Sequence, residues 1–168
     1  MQITYNTSIL HLEDMPLDIG YASEKVDLKT ASGENFRIGG QNGVTQLLIS
    51  ASFIDEALLT QLQEIDTLLN LNALGGITKA LIVANDTHKL PSLEEWISGY
   101  DVDEAFGDYY GVRLSNKELA KSLFIVSKDG AVFYHEILSD LNDPFSIDKA
   151  LAKIVAANSC YTGKGCHG

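Results

Sequence analysis

Apolar and polar positions alternate in short runs over roughly the first forty residues, then the period changes. Ile3 and Tyr5, followed by Ile9 and His11, alternate on either side of Asn6-Thr7-Ser8, which predicts a strand pair over residues 3–12. Residues 26–30 (Val-Asp-Leu-Lys-Thr) alternate again, and after the turn Ser32-Gly33-Glu34-Asn35 a short strand follows at Phe36-Arg37-Ile38. Residues 44–52 centre on Leu47-Leu48-Ile49, a continuous apolar run of the kind carried by a strand buried on both faces. Beyond Asp55, a suitable N-cap, Leu58, Leu59, Leu62, Ile65, Leu68 and Leu69 recur at helical spacing and predict an amphipathic helix over 56–69. Residues 77–84 read as a second buried strand. Ser92, with Pro91 before it, predicts a helix to about Ser98 carrying the lone Trp96, and a short acidic helix is expected near 103–106. Residues 123–126 and 131–134 are apolar and flank Ser127-Lys128-Asp129-Gly130, where Asp-Gly signals a hairpin. Ser146 is placed to cap a last helix, with Ile147, Ala150, Leu151 and Ile154 on one face, ending near Ala157.

Two strand pairs, then a strand–helix–strand unit, a hairpin and a closing helix imply an α/β fold. The arrangement is thioredoxin-like: a mixed sheet flanked by helices, with an N-terminal β-hairpin. A chain of 168 residues supports one domain, expected over 1–157, with residues 158–168 as a flexible tail holding both cysteines. Such a length buries roughly 70% of its unfolded surface, so no disulfide or metal is needed to hold the core. Acidic residues outnumber basic ones 23 to 12, and the net charge of −11 repels phosphate, which argues against nucleic acid and anionic membranes as partners. No apolar run approaches the roughly 20 residues of a membrane span, and Met1-Gln2-Ile3-Thr4-Tyr5 lacks the basic start of a secretory signal. A cytoplasmic protein is the expectation.

Phe106-Gly107-Asp108-Tyr109-Tyr110-Gly111-Val112, then Leu119-Ala120-Lys121-Ser122 and the strand 123–126 ending in Lys128-Asp129-Gly130, resemble the thiol peroxidases, atypical two-cysteine peroxiredoxins of thioredoxin-like fold. The resemblance spans residues 20–157, and residues 48–55 are similar to the strand and loop that lead into the family's peroxidatic helix. It implies a thioredoxin-like fold, a homodimer, an antioxidant redox activity and a thioredoxin-like partner. In the family's Pro-x-x-x-Thr-x-x-Cys, a thiolate attacks peroxide with help from the threonine and a later arginine. Anchored on Ile54-Asp55, the proline position falls on Ser52, the threonine on Glu56, the cysteine on Leu59, and the arginine on Lys121. Aligning Leu90-Pro91 puts the resolving cysteine on Ser98. Leu59 has no nucleophilic atom, and Glu56 places negative charge where a thiolate would form. The expectation is a degenerate site and a binding or regulatory role.

Chemistry of another kind is concentrated at the end. Cys160 and Cys166 are the two cysteines of the chain, and with His167 they suit either a reversible disulfide or a zinc or copper(I) site. No cofactor is otherwise expected. A redox protein or peroxidase working through Cys160 and Cys166 is therefore the rival reading, and metal binding through Cys160, Cys166 and His167 the third. His88 falls in the loop after the second buried strand, at the strand ends where α/β ligands bind, although loop histidines are commonly just solvated. His11 and His135 are expected to be structural, and the acidic run Glu94, Glu95, Asp101, Asp103, Glu104 and Asp108 to form a solvated face. Gly39-Gly40 and Gly163-x-Gly165 lack the strand-to-helix context of a phosphate loop.

Overall fold

A computed structural model of the chain describes residues 1–159. The two central apolar runs lie side by side. Strand β5 (Gln46–Ser50) pairs in parallel with β6 (Thr78–Val83), with Leu48 opposite Ala80, and α1 (Glu56–Leu71) connects them. Every residue of β5 is buried, as the unbroken apolar pattern predicts for a strand with neighbours on both sides and cover on both faces. Asp55 caps α1, accepting a hydrogen bond from the Leu58 backbone N–H at 2.9 Å.

On one side of β5, the hairpin of β8 (Ser122–Val126) and β9 (Val132–Ile137) runs antiparallel to it, turning through Gly130 at φ 91°. On the other, β6 is followed by β7 (Ile97–Asp101) in parallel, then by β3 (Val26–Lys29) and β4 (Asn35–Ile38) in antiparallel pairs. The seven strands are ordered β4-β3-β7-β6-β5-β8-β9, and β1 (Gln2–Tyr5) with β2 (Ser8–His11) forms a separate two-stranded ribbon. α1 and α3 (Ile147–Asn158) cover one face, burying Leu58, Leu62, Ile65 and Ile154 against Leu47, Ile49, Leu123 and Ile125. The opposite face, with Leu48, Ile82, Phe124 and Val126, is closed by the ribbon's Ile3 and by Phe106 and Tyr110 of α2 (Ala105–Tyr110). Ser146 occupies the N-cap position of α3, but its hydroxyl makes no cap bond.

The helix predicted over 92–98 is absent. Residues 97–101 form β7 instead, and Trp96 sits 7% exposed at its entrance, packed in the cluster under α1. Three features favour extended chain here. Trp96, Ile97 and Tyr100 are aromatic or β-branched, Gly99 disfavours helix, and β6 has an open edge whose backbone groups need a partner. Gly99 also lets β3 approach, since a Cβ there would lie 2.8 Å from the Cβ of Leu28. The acidic helix near 103–106 is a 3-10 turn (Val102–Glu104) running into α2.

Candidate functional site

Ser52 and Lys121 do come together. Both border a small closed recess of about 10 Å³ at the C-terminal end of β5, with Asp55, Leu58 and Leu141 completing its wall. That volume is about one water molecule. The Ser52 hydroxyl donates to the Leu119 carbonyl at 2.5 Å, and Ser50 donates to Ala120 at 2.7 Å, so the end of β5 is stitched to the segment that enters β8. Lys121, 7% exposed, donates through Nζ to the Asp143 carbonyl at 2.6 Å and lies 5.4 Å from the centre of the Phe145 ring. Burial pushes its amine below the usual lysine range, opposed by the negative charges of Asp55, Asp143 and Glu136.

Glu56 and Leu59 stand outside this recess. Glu56 is exposed on the first turn of α1, and Leu59 is half-buried against the apolar cluster beneath the helix. Leu58, 1% exposed, is the leucine that fills the space beside Lys121. No thiol lies on any described residue, and the Ser52 hydroxyl and one N–H of Lys121 are bound to backbone carbonyls. Among the described residues the recess thus has no thiol nucleophile.

Ser98 is elsewhere. It lies on β7 opposite Leu81 and lines an open groove of about 370 Å³ between the β3–β4 turn and the start of β7. Its Oγ is buried and has no hydrogen-bond partner, and among the described residues no other buried side-chain oxygen or nitrogen shares that condition. Phe36, Pro91 and Trp96 supply apolar wall to the groove, and Thr30, Ser32 and Ser92 bring further hydroxyls. Sequence reasoning placed Ser98 at a lost catalytic position and missed the groove, because the groove exists only once residues 97–101 are a strand.

The remaining candidates divide between structural duty and surface. His88 reaches Glu118 at 2.6 Å, joining the loop after β6 to the loop before β8, and its carbonyl accepts from the Tyr100 hydroxyl at 3.2 Å. His135 bonds the Leu17 carbonyl at 3.0 Å through Nδ1, a structural role. The acidic run is no uniform solvated face. Asp101, 9% exposed, accepts from the backbone N–H groups of Phe106 and Gly107, while Glu95 pairs with Lys79 and Asp108 with Arg113. Cys160, Cys166 and His167 lie outside the described residues. Among the described residues no cluster of three histidine, cysteine, aspartate or glutamate side chains is placed to hold a metal ion. None of their helices is long and apolar enough to cross a membrane.

Solved structures with the same layout include proteins named as peroxiredoxin-like or as thiol peroxidase. A peroxiredoxin-like protein from Aquifex aeolicus superposes with a TM-score of 0.76, over 92% of this chain and 95% of its own, at 16% identity. The chain has the peroxiredoxin fold. A thiol peroxidase from Chromobacterium violaceum gives a TM-score of 0.74 at 16% identity with the same two coverages. Mycobacterium tuberculosis AhpC gives 0.66 at 11% identity, over 86% of this chain and 95% of its own. No family model and no curated protein sequence matches the chain. Within this peroxiredoxin fold the Phe-Gly-x-x-Tyr-Gly-Val stretch is architectural. Phe106 stacks on Tyr110 with ring centres 4.3 Å apart, and a Cβ on Gly111 (φ 70°) would fall 2.0 Å from the Met15 carbonyl oxygen.

Proposed function

We propose that this chain uses the peroxiredoxin fold without peroxide reduction at α1, and acts as a binding or regulatory module, as a cytoplasmic homodimer. The observation that carries the reading is the state of the recess. Leu59 stands at the aligned thiol position, Leu58 fills the space beside Lys121, and the donors of Ser52 and Lys121 are bound to backbone carbonyls. A thiolate needs a nearby positive charge or free N–H groups to form at neutral pH and to orient the peroxide; here Lys121 spends a donor on the Asp143 carbonyl, and Leu59, outside the recess, brings no thiol to it. Peroxide consumption by the full chain, coupled to a thioredoxin system, tests the reading. Neither the chain nor its Cys160→Ser/Cys166→Ser variant is expected to turn over. Turnover that survives in the cysteine-free variant overturns the reading, and turnover lost with those two cysteines transfers the chemistry to a dithiol at Cys160 and Cys166. Light scattering at rising concentration tests the dimer.

A further inference from the structure

One edge of the sheet is left open, and its hydrogen-bonding pattern fixes what fits it. β4 is the first strand of the seven-stranded order, so only β3 lies beside it. The Thr30 N–H bonds the Glu34 carbonyl at 2.8 Å, and in the same register Leu28 opposes Phe36 while Lys29 opposes Asn35. Antiparallel pairs alternate between bonded and non-bonded. Phe36 and Ile38 therefore spend their backbone groups on β3, and those of Asn35 and Arg37 point outward. Among the described residues no backbone group meets them there, and Asn35, Phe36 and Arg37 are all exposed. An unpaired edge is a template for another strand, and proteins blunt such edges with proline, lysine, a bulge or a covering segment. β4 has no proline, lysine or bulge, and the charge of Arg37 is turned onto Asp27 of β3 at 3.1 Å. At the opposite edge, by contrast, β9 is covered at its start, where Gly20 and Tyr21 bond Val132.

Two copies of this edge satisfy each other in one register. With a two-fold axis through Phe36, Asn35 of each chain faces Arg37 of the other, and every outward N–H meets an outward carbonyl. An axis on Arg37 would oppose two guanidiniums and set Asn35 against Gly39, whose N–H is already given to Gln46 Oε1 at 2.8 Å. An axis on Asn35 would draw in Gly33, whose N–H is spent on the Thr30 carbonyl. The register that remains sets Phe36, 39% exposed, against its own copy as a non-hydrogen-bonded pair with Cα atoms about 4.5 Å apart, where cross-strand aromatic rings pack. Charge permits the approach. The net charge is −11, yet over residues 25–38 Lys25, Lys29 and Arg37 outnumber Asp27 and Glu34, so two copies meet here without the repulsion the acidic remainder imposes.

We propose that two copies of this chain associate through β4, antiparallel and two-fold about Phe36, joining their sheets edge to edge. The inference rests on the reading of the chain as a homodimer and names the surface that forms it.

Sedimentation equilibrium of the full chain under reducing conditions, alongside Phe36→Lys and Arg37→Pro, tests it. A contact of so few residues belongs to the weak end of interfaces, so a reversible dimer with a Kd of about 10–100 μM is expected. Phe36→Lys puts two like charges on the axis, and Arg37→Pro removes an outward N–H at an edge position, without touching the bonds to β3. Each should raise the Kd at least about tenfold and leave the urea midpoint near that of the native chain. Orientation is read from Phe36→Cys and Glu34→Cys, each made in the Cys160→Ser/Cys166→Ser chain and oxidised with diamide, which takes up two electrons and two protons as the two thiols become one disulfide. Phe36→Cys should be trapped as a covalent dimer, because its two copies face each other, whereas those of Glu34→Cys stand well apart along the strands and should not be linked. A monomer at every concentration up to about 1 mM overturns this surface and the homodimer together. A dimer that keeps its native affinity in either folded variant, or that traps Glu34→Cys as readily as Phe36→Cys, overturns this surface and leaves the homodimer standing. Should Arg37→Pro fail to fold, Phe36→Lys and the trapping decide.

Discussion

Asp101 ends β7, and the short helix α2 hangs from its side chain. The carboxylate is 9% exposed and accepts two backbone hydrogen bonds, from Phe106 at 2.7 Å and Gly107 at 2.9 Å. Burial raises its pKa from 3.8 to about 6, outweighing the two N–H groups and the Arg113 guanidinium, which favour the charged form. The folded chain therefore binds a proton at Asp101 more readily than the unfolded chain does. Stability from this group is fully present below about pH 3.8 and is lost as the pH rises through about 6. At about 1.4 kcal/mol per pH unit the gap between those values is worth about 3 kcal/mol, of which about 2 kcal/mol is realised by pH 4.

The measurement is urea unfolding of the native chain and of Asp101→Asn at intervals from pH 4 to pH 8. Other carboxylates, such as Glu13 beside Lys117, lose their partners in acid and pull the overall curve the other way. They are common to both proteins and cancel in the difference. Asparagine accepts only one of the two N–H groups, which offsets the variant by an amount independent of pH. The native chain should gain about 2 kcal/mol on Asp101→Asn between pH 8 and pH 4, with the gain setting in as the pH falls through about 6 and half complete near about pH 5. A difference flat to within about 0.5 kcal/mol, or one that falls in acid, refutes the account of burial overriding the hydrogen bonds.

α1 ends in a Schellman motif, with the N–H of Ala73 on Asn70 and that of Leu74 on Leu69, and Ala73 there has φ 54°. Ala73→Gly should stabilise the chain by about 1 kcal/mol, read as a higher urea midpoint at unchanged slope. Lys79 is 7% exposed between Asp66 and Glu95, so Lys79→Ala should destabilise by about 3 kcal/mol by leaving Asp66 without its cation, and Lys79→Met by less. Leu58→Ala should lower stability by about 2–5 kcal/mol, since Leu58 is buried between α1 and the sheet. Leu59→Cys restores the aligned thiol but should give no peroxide turnover, and its thiol should titrate at about 8.5 or above because no free cation is near it and Glu56 is. Turnover by Leu59→Cys above that of free cysteine would show that Ser52 and Lys121 can leave their present partners.

Much of the sheet was legible because its strands carry unmistakable patterns. Leu47-Leu48-Ile49 reads as doubly buried, Asp129-Gly130 as a hairpin turn, and Asp55 as a cap, and the structure has each. β7 was not legible, for a physical reason. Its centre is Ser98 and Gly99, one on each face, which show no apolar alternation, and its partner is an edge of β6 that only the tertiary fold supplies. The same blindness hid the groove, and it hid Asp101, whose carboxylate looks in sequence like one more acid in a solvated run. The recess was half legible: alignment found Ser52 and Lys121, but not that Leu58 and Leu141 close the space between them.

The resemblance survived in the sequence where steric necessity is greatest, not where chemistry is done. Gly111 cannot carry a side chain without striking the segment at Met15, and a Cβ on Gly107 would sit 3.2 Å from the Leu119 side chain. Tyr110, fully buried, anchors its hydroxyl on the Glu24 carbonyl at 2.9 Å, and its ring meets Phe124 edge-on at 5.3 Å. These contacts tie α2 to β3 and β8 and close one face of the sheet, so changing any of them disturbs the core. The aligned threonine, thiol and resolving positions are less constrained. Glu56 is exposed, Leu59 is half-buried on the outside of the cluster, and Ser98 borders open space, whereas Ser52 and Lys121 are buried and hydrogen-bonded. Replacing a catalytic thiol by leucine at such a place adds apolar contact and removes a reactive group, without altering the packing that defines the fold. A peroxiredoxin fold carrying leucine at the aligned thiol position thus keeps the packing on which its stability rests.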